Sequence, residues 1–161
     1  TALRKEFARM ELLIRTYRSS DAPALARLFY ETVHSVNLRD YTLEQADAWA
    51  PRQIDLTAWD RSLARHFTVV ALEDGRTIGF GDMAPDGYLD RLYVHRDFQR
   101  RGAASAICTA LEAFVAAPVF TVRASLTARP FFLARGYRVV EKLQVERRGV
   151  LLASLLMEKQ S

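Results

Sequence analysis

The most informative part of this sequence is residues 89–104, which read LDRLYVHRDFQRRGAA. An apolar strand pattern runs into a basic loop, and the loop opens a helix that begins with alanines. The first amides of a helix have no partners inside the helix, and the helix dipole adds positive potential there. A phosphate at such a helix start meets several N–H donors at once. We therefore predict a pyrophosphate-binding loop at this junction.

The residue types at the junction suit an anion. Gly102 lets the backbone approach a ligand closely because it has no side chain. Ala103 and Ala104 keep the rim of the loop low, and Arg100 and Arg101 supply positive charge. The sequence has neither the Gly-Lys-Ser/Thr of a Walker loop nor the G-x-G-x-x-G of dinucleotide-binding folds. An ordinary capped helix beside a solvated basic loop stays open as the alternative.

Outward from this junction, strand and helix patterns alternate along the chain. Strands are predicted over Leu12–Tyr17, Phe67–Glu73, Thr77–Met83, Tyr88–Val94, Val119–Ala124, Tyr137–Val145 and Val150–Met157. Helices are predicted over Ala22–Val36, Thr42–Trp49, Ala103–Ala116 and Thr127–Arg135, with a further helical piece over Leu56–Arg65. We write this order as β-α-α-β-β-β-α-β-α-β-β. The unit around residues 88–124 favours a parallel pair and the hairpins favour antiparallel pairs, so the fold class is α/β (α+β), with a mixed sheet and helices on both faces.

Length and composition predict a single domain over residues 1–161, with residues 1–10 as a helical or frayed N-terminal extension. Half of the 161 residues are hydrophobic and 26% are charged, which is typical of a globular protein. No apolar run reaches the roughly 20 residues needed to span a bilayer, so no membrane association is expected. Cys108 is the single cysteine. It excludes an internal disulfide and fits a cytoplasmic location.

The net charge of +4 allows an anionic ligand, a membrane surface or nucleic acid as partner. The basic residues gather at residues 96–101 and 147–148 and form no long basic stripe. Nucleic acid binding is therefore the least favoured interpretation. No spacing of His, Cys and carboxylate residues suggests a metal site, so we expect no metal.

Two segments carry a resemblance to a known family. Residues 99–104, QRRGAA, resemble the acetyl-CoA-binding motif of the GNAT superfamily, written Q/R-x-x-G-x-G/A. Residues 125–137, SLTARPFFLARGY, resemble its N-x-x-A-x-x-x-Y-x-x-x-G-F segment. Their separation and the element order over residues 12–158 are similar to the family as well. The resemblance implies a GNAT fold, with about seven strands in one mostly antiparallel sheet. It also implies central strands splayed to admit acetyl-CoA, and possible homodimers.

The resemblance implies a role for each residue that matches the motifs. Main-chain groups of Leu92 and Val94 pair with the pantetheine arm, and amides from Arg100 to Ala104 hold the pyrophosphate. Ser125 stands where the family usually has asparagine, and Phe132 where many members have the tyrosine that protonates the coenzyme thiolate. The implied coenzyme-binding residues are Leu92, Val94, Gln99, Arg100, Arg101, Gly102, Ala103, Ala104, Ser125 and Phe132.

The resemblance also implies direct acetyl transfer between two bound substrates, with the amide of Val94 as oxyanion donor. Asp90 lies where polyamine acetyltransferases of this superfamily carry a glutamate. It is our candidate for the base or for binding a cationic amine; a surface carboxylate paired with Arg91 is the alternative. Because Phe132 has no proton to give, the substitute proton donors by residue type are Tyr93, Tyr41 and Tyr137, with core packing as the alternative for each. Tyr93 is our candidate among them.

In this superfamily the region between the first two helices shapes the acceptor pocket. His34, Tyr41 and Trp49 fall there and are the candidate acceptor-binding residues together with Asp90. A structural histidine and core aromatics are the alternatives. We expect an N-acetyltransferase acting on the primary amine of a small molecule, with a peptide or protein amine second. A non-catalytic acyl-CoA-binding sensor or interaction module is the alternative, favoured by Phe132.

Overall fold

The computed structural model describes residues 12–161, so the predicted extension over residues 1–10 lies outside the described residues. Its sheet has the strand order β1-β2-β3-β4-β5-β7-β6. The strands are β1 (Leu12–Thr16), β2 (Phe67–Glu73), β3 (Arg76–Met83), β4 (Tyr88–Val94), β5 (Val119–Ser125), β6 (Arg138–Arg147) and β7 (Val150–Gln160). Every pair is antiparallel except β4 with β5. The predicted mixed, mostly antiparallel sheet is confirmed.

Three helices, not the two of the predicted order, connect β1 to β2. The helices are α1 (Ala22–Val33), α2 (Leu43–Trp49), α3 (Leu56–Ala64), α4 (Ala103–Val115) and α5 (Arg129–Ala134). The predicted helical piece after Leu56 is thus a helix of its own, capped by the Asp55 carboxylate, which accepts from the amides of Thr57 and Ala58. No helix among residues 12–161 is long and apolar enough to cross a membrane.

Two helix ends differ from their predicted positions by more than one residue. Helix α1 ends at Val33, not Val36, and a 3-10 turn follows at Asn37–Arg39. Helix α5 begins at Arg129, because the Ser125 hydroxyl accepts from the amide of Ala128 and holds the preceding residues in a turn. Both differences lie beside the opening described below, where contacts with distant residues set the course of the chain.

Each face of the sheet has its own core. Helix α4 covers one face, and its Ile107 and Leu111, four residues apart, are fully buried against the strands. Cys108 belongs to this core, and burial raises the pKa of its thiol to about 12. Helices α1 to α3 cover the other face with Leu25, Trp59 and other apolar residues. Helices on both faces were predicted, and the structure confirms them.

The sheet opens between β4 and β5. These parallel strands are paired only at Tyr88 with Thr121 and at Leu89 with Val122. On the other side of β4, Asp82 pairs with Arg91 and Met83 pairs with Leu89, which leaves Asp90 without an opposing residue on β3. Such a bulge bends a strand and re-aims a side chain. The bend leads β4 away from β5 and opens a cleft between them, as predicted for splayed central strands.

Candidate active site

The opening between β4 and β5 is a cleft of about 840 Å³, a size suited to a small-molecule ligand. Its walls come from β4, the β4–α4 loop, β5, α5 and the segment between α1 and α2. The predicted site residues that line it are Trp49, Asp90, Leu92, Tyr93, Val94, Gln99, Arg100, Gly102, Ala103, Ala104, Ser125 and Phe132. Most of the predicted site is therefore brought together in one place.

The start of α4 has the geometry of an anion site. Gly102 precedes the helix with φ of +84°, a conformation that glycine adopts without cost. The first bond into the helix runs from the amide of Ala106 to the carbonyl of Gly102, at 3.0 Å. The amides of Ala103, Ala104 and Ser105 therefore have no partner inside the helix. No atom of the described chain comes within 4 Å of where a side chain at Gly102 would begin, so an anion has room to reach these donors.

The side chain of Arg101 does not take part in this site. Its Nη1 donates to Glu73 Oε2 at 3.2 Å, and its guanidinium lies 5.3 Å from the centre of the Phe98 ring. Arg101 is also absent from the cleft lining among the described residues. Its side chain fastens the loop to the end of β2, and only its main chain remains for a ligand. Arg100, by contrast, lines the cleft.

Strand β4 turns main-chain groups toward the cleft. The amide of His95 donates to the carbonyl of Ile78, which lies on β3, at 2.8 Å. Because alternate residues of an antiparallel pair bond the same neighbour, the amides and carbonyls of Leu92 and Val94 point away from β3 and into the opening. The Val94 carbonyl accepts from Gln99 Nε2 at 2.5 Å. The Val94 amide therefore remains as a hydrogen-bond donor in the cleft.

Asp90 lies beside a buried charge network. The fully buried Asp82 carboxylate accepts from Arg91 Nε at 3.0 Å, from Arg91 Nη2 at 2.7 Å and from His66 Nδ1 at 2.8 Å. Asp90 Oδ2 lies 3.7 Å from His66 Nδ1 and 3.8 Å from Arg91 Nη2. Burial, and then the charge of Asp82, raise the pKa of Asp90, while Arg91 and His66 act against them. Asp90 is thus a carboxylate at the cleft with a greater affinity for protons than an ordinary aspartate.

This network does not have the character of a metal site. Ligand atoms of His66, Asp82 and Asp90 lie within 4.8 Å of one another, as metal ligands would. However, both oxygens of Asp82 already accept from Arg91. The same guanidinium lies 3.8 Å from Asp90 and would repel a cation. We interpret the cluster as hydrogen-bonded charges that hold Asp90 in position.

Two of the predicted acceptor-binding residues have structural bonds instead. His34 places Nδ1 2.9 Å from the carbonyl of Tyr30 and Nε2 2.9 Å from Asp47 Oδ1, which ties α1 to α2. The Tyr41 hydroxyl donates to the carbonyl of Ala153 at 2.7 Å and accepts from the amide of Leu126 at 2.9 Å. Neither side chain lines the cleft as drawn from residues 12–161. Their contacts fit the alternatives given above, a structural histidine and a packed tyrosine.

Aromatic residues form the apolar walls. The Tyr93 ring lies 4.9 Å from Phe29 and 6.3 Å from Trp49, measured between ring centres. Burial raises the pKa of Tyr93, so its hydroxyl keeps its proton at neutral pH. Phe132 is 2% exposed and packs edge-on against Tyr137. Tyr93 is therefore the phenol among the three candidates that borders the cleft.

Several polar residues that line the cleft were not predicted from the sequence. Asn37 is 6% exposed, and its Nδ2 lies 3.5 Å from the Ser125 hydroxyl. The hydroxyls of Thr32 and Thr127 are buried with no hydrogen-bond partner among the described residues, although both residues line the cleft. Arg123 lines it from β5. No motif marks these positions, because contacts between distant segments bring them to the cleft.

Together, the two parted strands, the anion-binding helix start and the carboxylate beside them define a class of protein, the coenzyme-dependent acyltransferases. Comparison with known proteins gives the family. Residues 37–159 match the model of the GNAT acetyltransferase domain. The chain is 34% identical over 144 residues to the uncharacterised N-acetyltransferase YafP of Escherichia coli strain K12, across 89% of this chain and 93% of the relative.

Solved structures agree. A GCN5-related N-acetyltransferase from Rhodopseudomonas palustris superposes with a TM-score of 0.90 at 32% identity, across 94% of this chain and 98% of the other. The PaiA N-acetyltransferase of Thermoplasma acidophilum, solved with coenzyme A, shares the fold at a TM-score of 0.75 and 17% identity, across 94% of this chain and 100% of the other.

The chain belongs to the GNAT acetyltransferase family. The predicted family and fold are thereby confirmed, and the protein is an acetyltransferase with acetyl-CoA as its co-substrate. The alternative of a non-catalytic binding module is not supported.

Proposed function

We propose that this enzyme acetylates the primary amine of a small molecule by direct transfer from acetyl-CoA, with no acyl-enzyme. The observation that carries the proposal is Asp90, a carboxylate of raised pKa that borders the cleft on the same strand as the Val94 amide. Cys108 supports direct transfer, because its buried thiol has a pKa of about 12 and is a poor nucleophile. A peptide or protein amine is the second choice of acceptor.

In this proposal the coenzyme lies across the opening of the sheet. Its diphosphate accepts from the amides at the start of α4, near Gly102, with Arg100 close by. Its pantetheine arm runs along β4 and bonds the main chain of Leu92 and Val94 like an added strand. The Val94 amide then donates to the thioester oxygen as negative charge develops on it, a form of stabilisation often worth several kcal/mol.

The chemistry needs a neutral amine. Asp90 accepts a proton from the bound amine, and the amine nitrogen then forms a bond to the thioester carbon. The carbon–sulfur bond breaks, and coenzyme A leaves as a thiolate. Because an ordinary thiol has a pKa of about 8.5, the thiolate can leave without a strong acid. The nitrogen still carries one proton more than an amide, and this proton passes to the thiolate through Tyr93 or water, so that Tyr93 regains its own proton. Phe132 contributes packing alone.

Release of free thiol from acetyl-CoA across a panel of amines tests this mechanism. Loss of a general base typically lowers the rate by about 10²- to 10⁴-fold. We therefore expect Asp90→Asn to reduce kcat/KM by about 100-fold or more, with the Kd for acetyl-CoA unchanged. Asp74→Asn, in the exposed turn between β2 and β3, is the matched control and should keep full activity. Normal turnover of Asp90→Asn at every pH would exclude Asp90 as the base.

A further inference from the structure

Asp90 and Arg123 occupy equivalent positions on the two strands that part. Leu89 and Val122 form the last pair between β4 and β5, so the next residues along the two strands are Asp90 and Arg123. Both line the cleft. Val122 and Ala124 are buried in the core beneath α4. Because side chains alternate along a strand, Arg123 points toward the opposite face of the sheet.

Asp90 faces the same side. His66, whose Nδ1 lies 3.7 Å from Asp90 Oδ2, comes two residues after α3, which covers that face. The pKa of the Tyr88 phenol is affected by Asp90 on β4 and by Arg123 on β5. Burial raises the pKa of Tyr88, Asp90 raises it further, and Arg123 and Arg147 act in the opposite direction. Because both residues line the cleft, the two opposite charges border a common space.

These charges are not paired with each other. Within residues 12–161, the basic side chains with a nitrogen within 4 Å of the Asp90 carboxylate are His66 and Arg91 alone. Arg123 has no carboxylate oxygen within that distance. Arg147, at the end of β6, likewise has no carboxylate partner in the described chain, and it too acts on Asp90. The parting strands thus keep one carboxylate and one guanidinium group apart at the cleft.

A ligand with two opposite charges satisfies this arrangement best. An ammonium group suits Asp90, and a carboxylate suits the planar donors of Arg123, which bind carboxylates in a bidentate manner. A purely cationic polyamine would place its second charge near Arg123, where it is repelled. We propose that the acceptor is an amino acid, a small molecule that carries a carboxylate beside its primary amine. This inference rests on the proposed function, because the amine is the group that Asp90 deprotonates.

Matched pairs of acceptors test the proposal. Thiol release from acetyl-CoA is measured with a panel of α- and ω-amino acids, each compared with its own carboxamide, which keeps the amine and loses the negative charge. The acid-to-amide ratio of kcat/KM is determined for the native enzyme and for Arg123→Gln. Because the basicity of each amine is the same for both enzymes, the change in this ratio isolates the contact with Arg123. We expect the ratio to fall by about tenfold or more, the usual size of a charge-assisted hydrogen bond.

Two further variants complete the design. Arg27→Gln, on the exposed side of α1 and outside the cleft lining, makes the same change of charge and should leave the ratio intact. Arg123→Lys keeps the charge without the planar donors and should give an intermediate ratio, which also guards against a folding defect in Arg123→Gln. Equal ratios in the native enzyme and Arg123→Gln, or faster turnover of polyamines than of amino acids, would overturn the inference alone. No thiol release with any amine would overturn the proposed function and this inference with it.

Discussion

At the scale of residues, the environment of Asp90 decides its chemistry. The carboxylate stands in a bulge, next to the buried Asp82, which accepts hydrogen bonds from Arg91 and His66. Removal of Asp82 would take from the largely buried Arg91 guanidinium the carboxylate that lies closest to it, at 2.7 Å, which is costly. Asp82 and Arg91 therefore hold the Asp90 carboxylate in position at the cleft.

The pH dependence of turnover follows from this environment. Burial and Asp82 raise the pKa of Asp90, and the base acts only when deprotonated. We expect kcat/KM to fall as the pH is lowered, with a midpoint above the ordinary aspartate value of about 3.9. Deprotonation of the amine adds a second limb to the pH–rate profile. The midpoint of that limb changes with the acceptor, whereas the midpoint of the limb that belongs to Asp90 stays the same.

Rate profiles with two acceptors of different basicity separate these limbs. Circular dichroism over the same pH range serves as the control for unfolding. A profile with no acceptor-independent limb above pH 4 would contradict the assignment of Asp90.

The residues of the site were predictable where a local pattern carried them. Gly102 stands in a strand–loop–helix pattern that was enough to find it. Asp90 was proposed from the resemblance, because it lies where polyamine acetyltransferases of the superfamily carry a glutamate. Asn37 and Arg123 carry no such mark. Asn37 reaches the cleft only because its segment packs against Ser125, 88 positions along the chain. Contacts of this range depend on the whole fold and cannot be derived from one sequence.

At the scale of elements, the segment between α1 and α2 is held in place by Tyr41. One hydroxyl bonds both Leu126, just after β5, and Ala153, on β7. Asn37 belongs to this segment, and the Trp49 ring lies 5.3 Å from the Tyr41 ring, measured between ring centres. Both Asn37 and Trp49 line the cleft. Tyr41 thus supports the site from behind, which is a different role from the acceptor contact predicted for it.

Tyr41→Phe should therefore weaken the fold and the acceptor site together. The change removes two hydrogen bonds and leaves the Leu126 amide without its partner, at a cost of about 1–3 kcal/mol in the free energy of unfolding. We also expect a higher KM for the acceptor. Denaturant unfolding and steady-state kinetics measure the two effects. Tyr30→Phe is the control, because the Tyr30 hydroxyl has no side-chain or main-chain partner among residues 12–161. Equal stability of the two variants would show that Tyr41 does not hold this segment.

The ends of the elements were predicted unevenly. Strands β6 and β7 end at Arg147 and Gln160, two and three residues beyond their predicted ends. The bounds of β2 and β4 agree with the sequence prediction, because each follows from local apolar patterns and a turn. The predicted end of α1 and start of α5 were wrong by two or three residues. Both ends adjoin the cleft, where hydrogen bonds to distant residues compete with the continuing helix.

At the scale of the whole molecule, one opening in an otherwise continuous sheet accounts for the arrangement. The β1–β4 half packs on α1 to α3, and α4 packs on the other face. The cleft between β4 and β5 joins the start of α4 to the face that carries Asp90 and Arg123. In our account the coenzyme enters from the first side and the acceptor from the second, and the acetyl group passes between them directly.

Calorimetric titration with coenzyme A and acetyl-CoA tests the central claim most directly. Gly102 and Gly75 both have φ near +80° and open space where a side chain would begin, but only Gly102 faces the cleft. Aspartate at either position therefore adds the same strain and charge. The account predicts saturable binding to the native protein and to Gly75→Asp, and none to Gly102→Asp. An absence of binding heat from the native protein at millimolar coenzyme, or equal affinity in the two variants, would contradict it.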